Sequence, residues 1–408
     1  MSKSIDYKLF FAVLFLVIFG MIMISSVSVY SSFRVTDLMS QKGLIEEPYN
    51  YFYVIRNISH VVISLIVMGL VIKAPYQLFK KYSKQIFGVV IFLLVFVLIK
   101  GISLKGASGW ISIPGIPFTI QPTEFLKFAL IIYLAYFFER YKGYLSDLKK
   151  GFLPFVGIIG LVVLLVGLQP DFGTLMVVLP VSVIMYFATG SNIKYLAVLG
   201  VMGILLISFV YTLGKYDKTV PETRNKLSYI TDRIDNFLED NKTAIKSKTI
   251  NYQTEQGLIA IGSGGFFGLG FGNSIQKFGY LPEVQGDFIF SVVAEELGFF
   301  GAFILVSIYL YIGYRGFYIA HRVDNLFAKY SAIGVSSWII IQAFINIGVN
   351  LNIVPLTGIT LPFVSYGGSS LLSLAIAVGF LLNISRYVNE KPKYSRLLRN
   401  KIFNIKIG

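Results

Sequence analysis

The stretch that decides the fold is residues 251–301, which reads NYQTEQGLIAIGSGGFFGLGFGNSIQKFGYLPEVQGDFIFSVVAEELGFFG. It begins with polar residues, passes through closely spaced glycines and presents several charged side chains before an apolar helix begins. Closely spaced glycines weaken a regular helix and allow the backbone to approach another backbone or a ligand. Irregular, charged backbone that leads into an apolar segment is typical of cavities and functional sites in membrane proteins. We therefore look for chemistry in this stretch.

The composition of the whole chain is that of a membrane protein. Its 408 residues are 55% hydrophobic and 14% charged, whereas a soluble domain carries about 25% charged residues. The absence of cysteine excludes disulfides and thiolate metal sites. The sequence therefore predicts an all-α polytopic membrane protein in which residues 1–408 form a single integral membrane domain.

Apolar runs divide the chain into about ten predicted spans, each near the ~20 residues that cross a bilayer. The first run is too long for the core of a signal peptide, so we treat it as a span. A long polar loop, residues 214–286, separates the seventh and eighth spans. The predicted spans are 9–30, 51–72, 85–99, 123–138, 152–168, 172–189, 193–213, 288–314, 330–349 and 369–384.

The distribution of charge orients these spans. If the N-terminus lies inside, the inner connections 73–84, 139–151 and 315–329 and the C-terminal tail are rich in Lys and Arg, whereas the outer connection 350–370 carries no charge. The positive-inside rule then predicts that both termini are cytoplasmic and that the loop 214–286 is extracytoplasmic. The net charge of +15 follows from this topology, so it does not indicate nucleic acid. Anionic lipid headgroups are the expected partners of the inner loops.

The first part of the long loop alternates in charge and carries apolar residues at helical spacing. This pattern predicts an amphipathic helix on the outer membrane surface, either as a solvated loop helix or as a wall over a substrate groove. The apolar residues are Leu227, Ile230, Ile234 and Leu238.

Four stretches, in this order, are similar to motifs of the SEDS (shape, elongation, division and sporulation) family. They are GASGWISIPGIPFTIQPTEFLK at 106–127, LQPDFGT at 168–174, the glycine-rich stretch from Gly257 to Gly301, and NIGVNLNIVPLTGITLPFVSYGGSSLL at 346–372. Together they cover about a third of the chain. The string GNSIQKFGYLPE resembles the division branch of the family more closely than its elongation branch.

The resemblance implies a peptidoglycan glycosyltransferase. Such an enzyme polymerises lipid II, a disaccharide-pentapeptide on undecaprenyl diphosphate, at the outer face of the plasma membrane. It implies a class B penicillin-binding protein as the transpeptidase partner, other divisome membrane proteins, and a septal location. Two positions depart from the family pattern, because Gly109 precedes Trp110 where many members have a basic residue, and Gln285-Gly286 precedes Asp287 where many have His-Thr.

The resemblance maps the catalytic aspartate of the family onto Asp287. Glycan polymerisation requires a base that takes the proton from an acceptor sugar hydroxyl, and a carboxylate can do so. One carboxylate suffices for an inverting displacement, because the lipid diphosphate is already a good leaving group. The alternative is that Asp287 caps the helix that follows it, since Asp is a preferred N-cap residue.

Further polar residues near the predicted outer ends of the spans are candidates for substrate binding. Cations stabilise the charge that develops on a leaving diphosphate, and a divalent cation is the alternative to basic side chains. Asp171 either caps a helix or lines a cavity, and Glu124 and Lys127 can pair on one helix face. Glu283 either orients Asp287 or is a solvated carboxylate. The full set of candidates is Lys277, Glu283, Glu124, Lys127, Asp171, Ser365, Arg224 and Arg233.

Three other functions remain open from the sequence: a lipid II flippase or other transporter, a polymerase of the elongation type, and a non-catalytic scaffold that recruits a transpeptidase. A transporter predicts charged groups near the middle of the membrane. The motifs here gather instead at the predicted outer ends of the spans, which favours the polymerase.

Overall fold

The computed structural model describes residues 4–104, 107–112, 119–192 and 248–388, together with isolated positions between 194 and 212. Most of the predicted seventh span, the predicted amphipathic helix, Arg224 and Arg233 lie outside these residues.

The described chain is mainly helical, and nine of the predicted spans coincide with helices. The helices are α1 (Tyr7–Val27), α2 (Val29–Gln41), α3 (Phe52–Lys73), α4 (Tyr76–Lys81), α5 (Ser83–Lys100), α6 (Pro122–Arg140), α7 (Leu153–Gly167), α8 (Phe172–Phe187), α9 (Lys248–Gly264), α10 (Ile289–Arg322), α11 (Leu326–Asn350) and α12 (Gly368–Ser385). A π-helical turn, Leu148–Phe152, precedes α7. Seven helices in the described residues are long and apolar enough to cross a membrane. The predicted helical membrane fold is confirmed, whereas the count of ten stays a prediction.

The connection between α5 and α6 is not helical. It forms a small antiparallel sheet in the order β1-β2-β3 from strands β1 (Ile102–Leu104), β2 (Ala107–Ser112) and β3 (Thr119–Ile120). The all-α prediction therefore holds for the spans but not for this loop. Pro122 stands in the first turn of α6, where its missing N–H costs nothing.

Hydrogen bonds between helix ends show that the bundle runs up and down and has two distinct ends. At one end the start of α1, the end of α3 and the end of α12 meet, since Asp6 N–H donates to Ser385 and Asn383 donates to the carbonyl of Ile72. At the other end the start of α6 meets the start of α12, since Gln121 N–H donates to Ser369. We call these the basic end and the Asp287 end. Helices α11 and α12 are mostly buried, whereas α3 and α5 expose apolar faces, so α11 lies in the centre of the bundle.

The glycine-rich stretch forms a re-entrant hairpin, which the sequence did not predict. Helix α9 runs alongside the first turns of α10, because Gly257 lies against Phe288 and Gly264 lies against the backbone of Ala294. Helix α10 begins at the Asp287 end and runs away from it. Because α9 is parallel to these first turns, α9 also runs from the Asp287 end into the bundle. A turn at residues 265–272 then returns the chain to the Asp287 end.

The turn of this hairpin is held by backbone groups where α10 is broken. Gly298 has a φ of 68° and a ψ of −170° inside α10. Residues 265–270 and 295–300 exchange four backbone hydrogen bonds of 2.8–3.1 Å. Gly298 lies nine residues into α10, or about 13 Å along its axis, which is a depth at which unpaired peptide groups are very costly. The exchanged bonds satisfy these groups.

Candidate functional site

Asp287 lies two residues before α10 and is partly exposed. Three consecutive carbonyls that end at this residue each accept a hydrogen bond from the segment 346–366. Tyr366 N–H donates to the Gln285 carbonyl at 2.8 Å, and the Ser365 hydroxyl donates to the Gly286 carbonyl at 2.6 Å. The Asp287 carbonyl accepts from two asparagines on α11. The backbone that carries the carboxylate is therefore fixed residue by residue.

Those asparagines belong to a buried row of amide side chains on α11, spaced four residues apart: Gln342, Asn346 and Asn350. We call this row the amide ladder. Each member is at most 1% exposed. Spacing by four places the three side chains on one face of the helix, so the ladder rises along α11 toward the Asp287 end.

The middle rung joins two chain segments at the site. The amide nitrogen of Asn346 donates to the carbonyl of Asp287 at 2.8 Å and to the carbonyl of Ile359 at 2.8 Å. Both N–H groups of one amide are thus used, one for the backbone of the carboxylate and one for the loop beside it.

The top rung caps α10. The Nδ2 of Asn350 donates to the Asp287 carbonyl at 2.9 Å, and its Oδ1 accepts from the backbone N–H and the hydroxyl of Ser291, at 3.0 and 2.7 Å. The N-cap residue Phe288 makes no side-chain cap bond. Asn350 therefore satisfies the Ser291 N–H in the first turn of α10, and the capping alternative for Asp287 stays a prediction.

The loop beside Asp287 approaches its carboxylate at a glycine. Gly358 has a φ of +74°, and a Cβ at this position would lie 3.6 Å from Oδ2 of Asp287. The same loop packs on the start of α8, where a Cβ on Gly173 would lie 2.8 Å from the Thr357 carbonyl. Asp171 caps α8, with its oxygens 2.9 Å from Thr174 N and 2.8 Å from its hydroxyl. The capping alternative for Asp171 is confirmed, and its carboxylate lies on a helix that contacts the Asp287 loop.

Glu283 belongs to the turn that precedes Asp287. The N–H of Gly286 donates to the Glu283 carbonyl at 2.9 Å. Glu283 has a φ of +53°, a left-handed backbone conformation that residues other than glycine rarely adopt. Glu283 is partly exposed. Its predicted role in orienting Asp287 or in binding substrate stays a prediction.

Ser365 is buried and both functions of its hydroxyl are in use. It donates to the Gly286 carbonyl and accepts from Leu361 N–H at 2.8 Å. The geometry assigns this hydroxyl to holding the backbone of the site, and its predicted contact with substrate stays a prediction.

The predicted pairing of Glu124 with Lys127 is confirmed. The N–O distance is 2.8 Å, and both side chains are nearly buried. Lys127 also donates to the Oε1 of Gln342 at 3.0 Å, and Gln342 in turn donates to the Thr360 carbonyl at 3.0 Å. The pair therefore supports the lowest rung of the amide ladder, beneath the loop that approaches Asp287.

Lys277 is 4% exposed and lies in a second buried pair, away from the amide ladder. Its ammonium donates to Glu296 at 2.8 Å, to the Ser26 hydroxyl at 2.9 Å and to the Gly272 carbonyl at 2.6 Å. All three N–H donors are thus engaged inside the protein, which does not support contact with a diphosphate. The two carboxylates in the first part of α10 are both engaged here, because Glu296 pairs with Lys277 and Glu295 accepts from Ser274 and Ile275.

Arg56 lies beside the site and is not among the residues that the sequence predicted for it. It lies near the start of α3, is half-buried, and its guanidinium is close to the phenol of Tyr366. Burial raises the pKa of that phenol, which Arg56 partly offsets, so Tyr366 stays neutral. Tyr366 is also the residue whose N–H holds the Gln285 carbonyl. An arginine inside an otherwise apolar segment was the signal that could have found it.

Comparison with known proteins identifies the family. The profile of the FtsW/RodA/SpoVE family, described as cell cycle protein, matches residues 7–390. The chain belongs to this SEDS family. It is 37% identical over 406 residues to the probable peptidoglycan glycosyltransferase FtsW of Bacillus subtilis (strain 168), covering 98% of this chain and 94% of that protein. It is 36% identical to the stage V sporulation protein E of the same organism, covering 95% and 98% of the two chains.

Two solved structures share the fold of this SEDS chain. One is a chain of a peptidoglycan synthase complex that coordinates polymerization and crosslinking, with a TM-score of 0.71, 23% identity and coverage of 95% of this chain and 99% of that chain. The other is the rod shape determining protein RodA of Thermus thermophilus, with a TM-score of 0.64, 23% identity and the same coverage. At these identities the likeness establishes the polytopic fold alone.

The structure shows what surrounds the positions that depart from the SEDS pattern, Gly109 and Gln285-Gly286. A Cβ on Gly109 would lie 3.6 Å from the Oε1 of Gln169, which is buried and has no hydrogen-bond partner. Gln285 and Gly286 contribute backbone carbonyls to the fixation of Asp287, and every residue type carries such a carbonyl.

Among the described residues no three His, Asp or Glu side chains are grouped so that they could hold a metal ion. Oxygen-rich coordination of Mg²⁺ often uses one or two carboxylates with substrate phosphates. The predicted alternative of a divalent cation stays a prediction.

Proposed function

We propose that this chain is a peptidoglycan glycosyltransferase that polymerises lipid II at the outer face of the plasma membrane, with Asp287 as the general base. Two lines of support meet here. The relatives named probable peptidoglycan glycosyltransferase are similar over nearly the whole chain, and the carboxylate that the family resemblance selects is partly exposed on a rigidly held backbone.

In the proposed reaction the Asp287 carboxylate takes the proton of an acceptor sugar hydroxyl. The hydroxyl oxygen forms a bond to the anomeric carbon of the donor, and the bond from that carbon to the diphosphate oxygen breaks. Undecaprenyl diphosphate leaves with the electron pair, and an α-linked donor gives a β-linked product. General-base assistance of this kind contributes about 10²–10⁴-fold in rate.

The residues around Asp287 divide the remaining tasks. Arg56 is close to Tyr366, whose N–H holds the Gln285 carbonyl, and it would stabilise charge on the departing diphosphate. This assignment replaces Lys277, whose ammonium is fully engaged inside the protein.

The observation that carries the proposal is the fixation of carbonyls 285–287. Three successive peptide groups are bound by α11 and the loop after it, while the side chain of Asp287 remains partly exposed. A general base needs such a fixed approach to its substrate, because misplacement by about 1 Å can cost 10²-fold in rate.

The test uses the purified full chain with its cognate class B penicillin-binding protein and labelled lipid II. Wild type should form glycan strands, and Asp287→Asn should form none. Asp37→Asn changes an aspartate on α2 that accepts a hydrogen bond from its helix neighbour Gln41, so it should polymerise as wild type does. Equal product from Asp287→Asn and wild type would remove Asp287 as the base. Lipid translocation without polymer from any variant would instead favour the flippase.

The finer assignment is to cell division, with both termini cytoplasmic, a septal location and other divisome proteins as neighbours. It is supported by the FtsW relatives and by the sporulation protein among them. Imaging the tagged protein in growing cells tests it. Septal enrichment agrees with a division polymerase, whereas uniform sidewall signal would favour an elongation polymerase of the RodA type.

A further inference from the structure

The amide ladder reaches the proposed base more directly than any other buried polar group in the described chain. Asn346 and Asn350 both donate to the carbonyl of Asp287 itself. We propose that these two asparagines are positioning residues for the glycosyl transfer, an inference that rests on the proposed role of Asp287. They touch neither substrate nor the carboxylate, and they act by fixing where the carboxylate can reach.

The geometry separates this role from ordinary packing. Asn346 binds the Asp287 carbonyl and the Ile359 carbonyl with one amide nitrogen, so it sets the spacing between the carboxylate segment and the loop of Gly358. That loop is the one whose glycine faces Oδ2 of Asp287. A change in this spacing would move the carboxylate relative to its neighbour without removing either.

Asn350 fixes the direction in which the helix leaves Asp287. It bonds the Asp287 carbonyl with its nitrogen and the first turn of α10 with its oxygen, at Ser291. Both sides of the residue are thereby tied to one side chain. Fixing the backbone on both sides of the carboxylate is the preorganisation that a general base requires.

The neutral character of the rungs is part of the inference. A lysine or arginine in place of either asparagine would stabilise the ionised carboxylate and make it a weaker proton acceptor. An amide satisfies the carbonyl without adding a charge. The amide ladder therefore fixes the position of Asp287 without placing a charge beside its carboxylate.

The chain provides a matched control at the basic end. Asn383 is equally buried and its Nδ2 donates to the backbone carbonyl of Ile72 at 2.7 Å. It thus makes the same kind of bond as Asn346, on a neighbouring helix, but far from the proposed site. Asn383→Ala should lower the melting temperature and leave the turnover of the folded protein unchanged.

The experiment measures the rate of polymerisation against lipid II concentration for the full chain with its transpeptidase partner, alongside the melting temperature. Asn346→Ala should lower kcat by about ten- to a hundred-fold, with KM changed by no more than about three-fold because no substrate contact is lost. Asn350→Ala should show the same split. Asn346→Leu, which keeps the size and adds no charge but loses both N–H donors, should be as slow as Asn346→Ala and serves if the alanine variant does not fold.

The outcomes distinguish the inference from the proposed function. If Asp287→Asn is inactive while Asn346→Ala and Asn350→Ala retain wild-type kcat and lose only melting temperature, as Asn383→Ala does, the positioning role is wrong and the base stands. If Asp287→Asn still polymerises, the base assignment itself is wrong. A rise in KM without a fall in kcat would also overturn the inference, since it would indicate substrate binding.

Discussion

Two buried ion pairs in the described part of the chain, Glu124–Lys127 and Lys277–Glu296, have the same N–O distance of 2.8 Å and similar burial, yet they lie in different settings. Glu124 and Lys127 share one helix, three residues apart, and Lys127 also binds the lowest rung of the amide ladder. Lys277 and Glu296 join the re-entrant hairpin to α10, and Lys277 also binds Ser26 at the end of α1.

The comparison teaches that the same charge chemistry serves two purposes, according to what the lysine holds besides its carboxylate. The Lys277 pair holds the hairpin in place, so removing it should lower the stability of the folded protein. The Lys127 pair supports the loop that faces Asp287, so removing it should lower the polymerisation activity as well as the stability.

The largest effect is expected from Lys277→Met. Removal of one partner leaves the Glu296 charge buried and uncompensated, which costs about 3–5 kcal/mol. The measurement is the melting temperature and the yield of folded protein in detergent. Lys277→Met/Glu296→Leu removes both charges and should recover much of the loss. If the single variant were as stable as wild type, the pair would not hold the hairpin.

Lys127→Met should combine a similar loss of stability with a fall in polymerisation of at least about ten-fold per folded molecule, because Gln342 loses a donor beneath the Asp287 loop. The control is Lys277→Met, compared at equal amounts of folded protein. The distinction between the two pairs fails if both variants, so normalised, have equal activity.

Ser365 tests whether a single hydroxyl that holds the backbone beside Asp287 is needed for activity. Ser365→Ala leaves the Gly286 carbonyl without its donor, a loss of about 1–3 kcal/mol for a buried group, and should slow polymerisation. Ser365→Thr keeps the hydroxyl and should retain more activity than the alanine variant. Equal rates for the two variants would mean that this hydroxyl does not hold the site.

The smallest effect is expected at Asp171. Asp171→Ala removes an N-cap and should cost about 1 kcal/mol, measured as a lower melting temperature. Asp171→Asn keeps the cap, because asparagine caps as well as aspartate does, and should restore stability and activity. Loss of activity in a stable Asp171→Asn variant would show that its charge, rather than the cap, is needed.

The spans were predictable because each is encoded locally. Apolar runs of bilayer length gave nine helices to within a few residues at most boundaries, and Pro122 and Asp171 marked the starts of α6 and α8. The pairing of Glu124 with Lys127 was predictable for the same reason, since residues three apart on a helix are neighbours.

The hairpin was not predictable in this way. Its place depends on hydrogen bonds between residues 265–270 and 295–300, which are far apart in sequence and involve backbone groups common to every residue. The partner of Lys277 follows from that placement, so the sequence suggested a substrate contact instead. The amide ladder did leave a signal, Gln and Asn at spacing four in an apolar helix, but its partners are backbone carbonyls that no sequence pattern names.

The broken α10 has a consequence for the order of events during synthesis. The ribosome delivers residues 265–270 before residues 295–300, so the turn has no partners for its peptide groups when it first emerges. Those groups must stay in water until the later segment arrives. The hairpin therefore enters the bilayer only together with α10, and a chain truncated before residue 295 should leave the segment 248–286 accessible to protease at the membrane surface.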